Sequence, residues 1–143
     1  MESDFSRTLS DGKAGFPALL DAIEAHLAGA GAPKSAIGPV LIALDEVVSN
    51  VLNHGGDGGA DPTVRVDVRV ANGQVAIEVA DDGAAFNPIA ADAPDTTQSI
   101  EDRPVGGLGI HLVKTLMDSV AYDRADGRNL LRFSKVYSPP SAS

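Results

Sequence analysis

Across residues 35–54 the apolar side chains fall at Ile37, Val40, Leu41, Leu44, Val47, Val48, Val51 and Leu52. Steps of three and four residues place them on one stripe, the pattern of a long helix packed by one face. A shorter stretch repeats the spacing with Leu19, Leu20, Ile23 and Leu27. Pro17 suits its first turn, and the Gly29-Ala30-Gly31 cluster ends it near Ala28. The period then changes from 3.6 to 2. Residues 63–70 alternate Val64, Val66, Val68 and Val70, and residues 74–80 alternate Val75, Ile77 and Val79. Ala71-Asn72-Gly73 between them is a hairpin signal. After a weakly patterned stretch, Gly106-Gly107-Leu108-Gly109 opens a third helix with Ile110, Val113, Leu116 and Met117 on its apolar face. Strands near 119–124 and 129–136, joined at Asp126-Gly127, close the chain, and a weak alternation of Phe5, Arg7 and Leu9 opens it as a strand.

The predicted order is β-α-α-β-β-loop-α-β-β. Hairpin-linked strands with helices to one side read as an α+β, two-layer sandwich with a mixed, mostly antiparallel sheet. The strict βαβ alternation of a Rossmann domain is absent. A chain of 143 residues fits one domain over 1–143. Within it, a loop as long as 84–105 reads as a lid or binding loop, and 138–143 reads as a frayed tail.

Charge narrows the choice of partner. With 20 acidic against 11 basic residues, the net charge of -9 repels phosphate backbones and anionic headgroups, so neither nucleic acid nor a membrane surface is expected as a partner. A single nucleotide is not excluded, because Mg2+ and local backbone amides outweigh an average field. The absence of cysteine removes disulfides and thiolate metal sites. Residues 1–10 lack the pattern of a signal peptide, and no apolar run approaches the 18 or so residues that cross a bilayer, so a cytoplasmic location is expected. The spacing of His26, His54 and His111 suggests no metal site.

The chemistry lies in three short motifs. At about 100° per residue, Glu46, Asn50 and Asn53 fall within about 60° of one another, on the side of the long helix away from its apolar stripe. Alone, they read as an ordinary polar helix face. Asp81-Asp82-Gly83 after a strand is by itself a common turn, and a glycine run before a helix is weak on its own. Their succession carries more: Glu-x-x-x-Asn on a long helix, Asp-x-Gly-x-x-Phe-Asn-Pro after a strand, a long loop, then Gly-Gly-Leu-Gly opening a helix.

That order and spacing, over about residues 5–136, resemble the N, G1 and G2 boxes of the GHKL (Bergerat-fold) ATPases. LDEVVSNVLNH, ADDGAAFNP and GGLGIHLVKTLMDSVAYDR are similar to the anti-sigma-factor serine/threonine kinases within that family. The resemblance implies ATP and Mg2+ as cofactors. It assigns Asn50 as the metal ligand, and hard Mg2+ takes a few protein oxygens beside phosphates and water. Glu46, one turn earlier, is placed to orient a hydroxyl and accept its proton. Asp81 is an acceptor for the adenine amino group, and Gly83 lets the chain turn beside the base. Phe86 and Ile77 offer apolar contact to the ring or serve the core equally well. Gly107, Leu108, Gly109 and Ile110 would bring backbone amides to the phosphates at a helix N-terminus. Asn53 matches a further phosphate-side position, and Arg103 is a candidate γ-phosphate contact or a solvated loop cation. Many relatives carry Gly-Thr at the last hairpin where this chain has Gly127-Arg128-Asn129, so the resemblance carries no contact over to that strand.

The implied function is a serine/threonine protein kinase that binds a sigma factor and phosphorylates a STAS-type antagonist, as a homodimer. A nucleotide-gated binding module without kinase activity and a detached histidine-kinase ATP-binding domain are the alternatives.

Overall fold

The computed structural model describes residues 4–10, 12–54, 62–83 and 107–137; within these limits the side chains of residues 12, 13, 53, 54 and 107–109 are not described. The expected lid at 84–105 and tail at 138–143 therefore lie outside the described residues.

The elements follow the order read from the pattern. Strand β1 (Phe5–Leu9) leads through a 3-10 turn (Gly12–Gly15) into α1 (Phe16–Gly29) and α2 (Lys34–His54). Then come β2 (Val64–Ala71), β3 (Gln74–Asp81), α3 (Gly107–Leu116), β4 (Ser119–Ala125) and β5 (Arg128–Val136). The sheet order is β1-β2-β3-β5-β4. Every pairing among the described strands is antiparallel, so the parallel share of the expected mixed sheet does not occur there.

Two hairpins fix the register. Ala71 pairs with Gln74 and Ala125 with Arg128, leaving Asn72-Gly73 and Asp126-Gly127 as two-residue loops. All four loop residues have positive φ, between 55° and 73°. That is the backbone of a type I′ turn, whose twist matches the strands it joins, and Asn-Gly or Asp-Gly meets its demand at least strain. With the register set, Val64, Val66 and Val68 of β2, Val75, Ile77 and Val79 of β3, and Leu131 and Phe133 of β5 share one face. All eight are buried.

The helices cover that face. Leu19, Ile23 and Leu27 of α1, Val40, Leu44, Val47 and Val48 of α2, and Ile110 and Val113 of α3 complete a single core with the sheet. Pro39 lies inside α2, in its second turn, and removes only the N–H that would have met the carbonyl of exposed Ser35, where water substitutes. Over Lys34–Leu52, α2 is long and apolar enough by length and composition to cross a bilayer, which corrects the expectation that no stretch approaches this. The correction follows from its valine, leucine and isoleucine content, which here serves packing against the sheet and α3.

The opposite face of the sheet is polar. Arg65 pairs with Asp67 at 3.1 Å and Arg132 with Glu78 at 2.7 Å across it. Both pairs involve exposed guanidinium groups, which limits each to a small contribution to stability.

Candidate functional site

The site begins with Asp81, the last residue of β3. It continues the Val75-Ile77-Val79 alternation and so faces the helices, in register with Asn129 of β5. It is 4% exposed. Its Oδ1 accepts the Gly83 N–H at 2.9 Å and the Asn129 side-chain amide at 3.0 Å. The Gly83 bond closes an Asx-type turn, which explains why Asp-x-Gly follows the strand. Asn129, itself buried, accepts from the Tyr122 hydroxyl through its Oδ1, so the orientation of its amide is fixed from both ends. No described residue donates to Asp81 Oδ2, leaving an acceptor oxygen available to a ligand. Arg124 bonds the Gly83 carbonyl at 2.9 Å, and Asp82 caps the Thr63 N–H at 2.8 Å. The turn is thereby tied to β4 and to the start of β2.

Asn129 is the residue the sequence reading missed. The departure from Gly-Thr at the last hairpin left a phosphate contact from this strand open; what its asparagine does instead is bond directly to Asp81. Only the β3–β5 register, a long-range pairing, brings the two residues together.

Helix α2 supplies the second part. Along one line of the helix, Asn50 is buried, Glu46 one turn earlier is half-buried, and Ile42 one turn earlier again is 47% exposed. The expectation that Glu46 and Asn50 both look away from the packed side is corrected for Asn50. Helix α3 packs against α2, which also contacts β3 and β5 of the sheet. Asn50 nonetheless has no hydrogen-bond partner among the described residues, and neither has the Glu46 carboxylate. The Asn50 amide is not fully enclosed, so it is a polar group within reach of a ligand or cation. No cluster of three or more His, Asp or Glu able to hold a metal occurs among the described residues. A Mg2+ ion held at Asn50 would have its coordination completed by phosphate and water, the ligands it favours beside a nucleotide.

Helix α3 begins at Gly107, as the Gly-Gly-Leu-Gly run predicts, and the N-terminus of this ten-residue helix presents backbone amides without intrahelical acceptors. Ile110 is buried and anchors that first turn in the core. Asn53 is placed on the last turn of α2, and Gly107, Leu108 and Gly109 on the first turn of α3, by backbone alone. Phe86 and Arg103 lie outside the described residues. A cavity of about 230 Å³ lined by Thr8, Thr63, Arg65, Ala80, Asp81, Asp82 and Arg128 opens at the same end of the sheet. Thr8, Arg65, Ala80 and Arg128 share the register of the polar face, so it lies mostly on that side and reaches Asp81 at the strand end.

Comparison with known proteins shows the family of the chain. Residues 12–135 match the histidine kinase-like ATPase domain family. The serine/threonine-protein kinase BtrW of Bordetella bronchiseptica is 30% identical over 102 residues, 71% of this chain and 72% of that one. An anti-sigma F factor of Clostridium botulinum is 27% identical over 99 residues, 69% of each chain. A solved structure of the RsbU and RsbW domains of Rv1364c from Mycobacterium tuberculosis superposes with a TM-score of 0.65 at 18% identity, which establishes the shared fold. It covers 96% of this chain, and this chain spans 32% of that one. The chain belongs to the histidine kinase-like ATPase domain family, the GHKL group, with relatives among the anti-sigma-factor serine kinases.

Proposed function

We propose that this protein is an ATP-dependent serine/threonine kinase of the partner-switching type. In this role it transfers the γ-phosphoryl group of ATP to a Ser or Thr hydroxyl of a STAS-type antagonist and binds a sigma factor as its other partner. The observation that carries the proposal is the arrangement on α2: Asn50 is 8% exposed, and among the described residues neither its amide nor the half-buried Glu46 carboxylate one turn further out has a hydrogen-bond partner. The names of the relatives, a serine/threonine-protein kinase and an anti-sigma factor, support the same assignment. A homodimer and a cytoplasmic location belong to this proposal as well.

Each part of the chain has a task in the transfer. Asp81 Oδ2 accepts a hydrogen from the adenine N6 amino group while Oδ1 stays engaged with Gly83 and Asn129. An acceptor of this kind rejects a base that lacks the donor, because the oxygen would be left unpaired. The N-terminal amides of α3 receive the phosphates. Asn50 would hold Mg2+, which when bound neutralises charge on the β- and γ-phosphates. Glu46 orients the acceptor hydroxyl in line with the γ-phosphorus and takes its proton. The hydroxyl oxygen–phosphorus bond forms, the bond from phosphorus to the β–γ bridging oxygen breaks, and ADP leaves with the electron pair. Most of the catalysis is positioning, with Glu46 supplying the directional element.

The test is transfer of labelled γ-phosphate from Mg-ATP to STAS-type proteins encoded in the same genome, with Glu46→Ala as control. The expected outcome is label on a Ser or Thr of one candidate, lost in the variant while ATP binding persists. ATP binding with no label on any candidate would replace the kinase with a nucleotide-gated binding module.

A further inference from the structure

The outer end of the α2 line lies beyond the residues to which the proposed function gives a role. Ile42 is 47% exposed, one of three large hydrophobic side chains among the described residues that stand in solvent. It is one helical turn from Glu46 and about 40° away around the axis, on the side where burial decreases from Asn50 through Glu46 to Ile42. One further turn out, Gly38 is exposed, and a Cβ built there would meet nothing within 4 Å. The track Gly38–Ile42–Glu46 is therefore open along about 12 Å of helix, with its only large apolar group next to the reacting position.

We infer that Ile42 is a specificity-determining contact for the protein that receives the phosphoryl group, taking up an aliphatic side chain two residues from the acceptor Ser or Thr. This rests on the kinase assignment and identifies which acceptors satisfy it. The occupant follows from continuity: any hydroxyl that reaches Glu46 belongs to a polypeptide, and the open side of Glu46 is the side on which Ile42 stands. The spacing follows from two geometries. One helical turn of four residues separates Glu46 from Ile42 by about 6 Å along the axis. Two residues of extended chain span about 6.6 Å and return a side chain to the same face. An extended acceptor segment running along α2 thus sets its hydroxyl at Glu46 and the side chain two positions away over Ile42. Charge at that position would be desolvated against the isoleucine without a partner, which disfavours acidic or basic residues there.

The experiment uses the full chain and the acceptor protein that takes label from wild type, comparing Ile42→Asp and Ile42→Leu. Expected for Ile42→Asp is a rise of about tenfold or more in KM for the acceptor, with kcat and the Kd for Mg-ATP within about twofold of wild type. Ile42→Leu restores KM. An exposed site tolerates the change, so the urea midpoint stays near wild type and folding does not confuse the result. Replacing the acceptor's aliphatic residue two positions from the labelled Ser or Thr by Asp has the same effect, and the two substitutions together cost less than their separate effects combined. An unchanged KM in Ile42→Asp, or full additivity with the acceptor variant, overturns the contact while leaving the kinase assignment intact. If wild type labels no acceptor, the kinase assignment itself falls and the contact falls with it.

Discussion

Replacing Asn129 by alanine probes the joint that holds Asp81, the proposed adenine acceptor. Asn129 is 6% exposed and bridges two groups, donating to Asp81 at 3.0 Å and accepting from the Tyr122 hydroxyl. The truncation leaves Asp81 with only the Gly83 N–H on Oδ1 and strands the Tyr122 hydroxyl at the edge of the core. A hydrogen bond to a charged group contributes about 1.5–3 kcal/mol and a neutral one about 0.5–1.5 kcal/mol, so the expected loss of stability is about 2–4 kcal/mol. At an m-value of about 2 kcal/mol/M, the urea midpoint falls by about 1–2 M. Because the Gly83 turn still holds Asp81, nucleotide affinity suffers less: about tenfold in Kd for ATP, or about 1.4 kcal/mol. Asn129→Thr keeps a hydroxyl donor for Asp81 and should recover the larger part of both losses. Urea unfolding followed by circular dichroism, with calorimetric titration of ATP, reads the two quantities separately. An Asn129→Ala protein with an unchanged midpoint and unchanged ATP affinity would refute the bridge.

Four further outcomes are expected. Asp81→Ala should weaken ATP about a hundredfold and abolish preference for ATP over GTP, measured by competition binding. Asn50→Ala should weaken Mg-ATP about tenfold while leaving metal-free ATP little changed, so titrations with Mg2+ and with EDTA should converge. Phe133→Ala, at a side chain 2% exposed in the centre of the sheet, should cost about 3–5 kcal/mol in chemical unfolding. Gly127→Ala, at φ +73° with open space around its Cβ, should cost about 1–2 kcal/mol through backbone conformation alone. A loss near zero there would argue against the type I′ turn.

The local parts of this fold were legible in the sequence because local physics determines them. Periodicity in α1 and α2 follows from burial on one face, and Asn72-Gly73 and Asp126-Gly127 mark hairpins because few other pairs tolerate two successive positive φ values. Glu46, Asn50 and Asp81 stood out because three motifs came in one order. What was not legible depends on contacts between distant segments. Asn129 looked like a departure from a pattern, since only the sheet order reveals that it faces Asp81. Asn50 was expected on an outward surface because one helix considered alone has a core side and a solvent side. In the folded chain α2 packs against α3 as well as the sheet, and the line runs from buried Asn50 to exposed Ile42. The apolar character of α2 was likewise underestimated, since its valines and leucines are interspersed with the polar residues of the site.

The central ladder of the sheet has a consequence for how the chain is held together. Strands β1 to β3 and the first two helices come from one contiguous piece of sequence, while α3, β4 and β5 come from another. The β3–β5 pairing joins them, and the Asp81–Asn129 bond that marks its end links residues 48 apart. Closing a loop of that size costs about 3–4 kcal/mol of chain entropy beyond the fixed cost of any closure. A nucleotide gripped by Asp81 on one piece and by the first turn of α3 on the other would act as a rivet through that seam. Loss of ATP would then loosen the join between two half-sheets before it unfolded either one, and the boundary between them would be the first place a protease or a chaperone finds purchase.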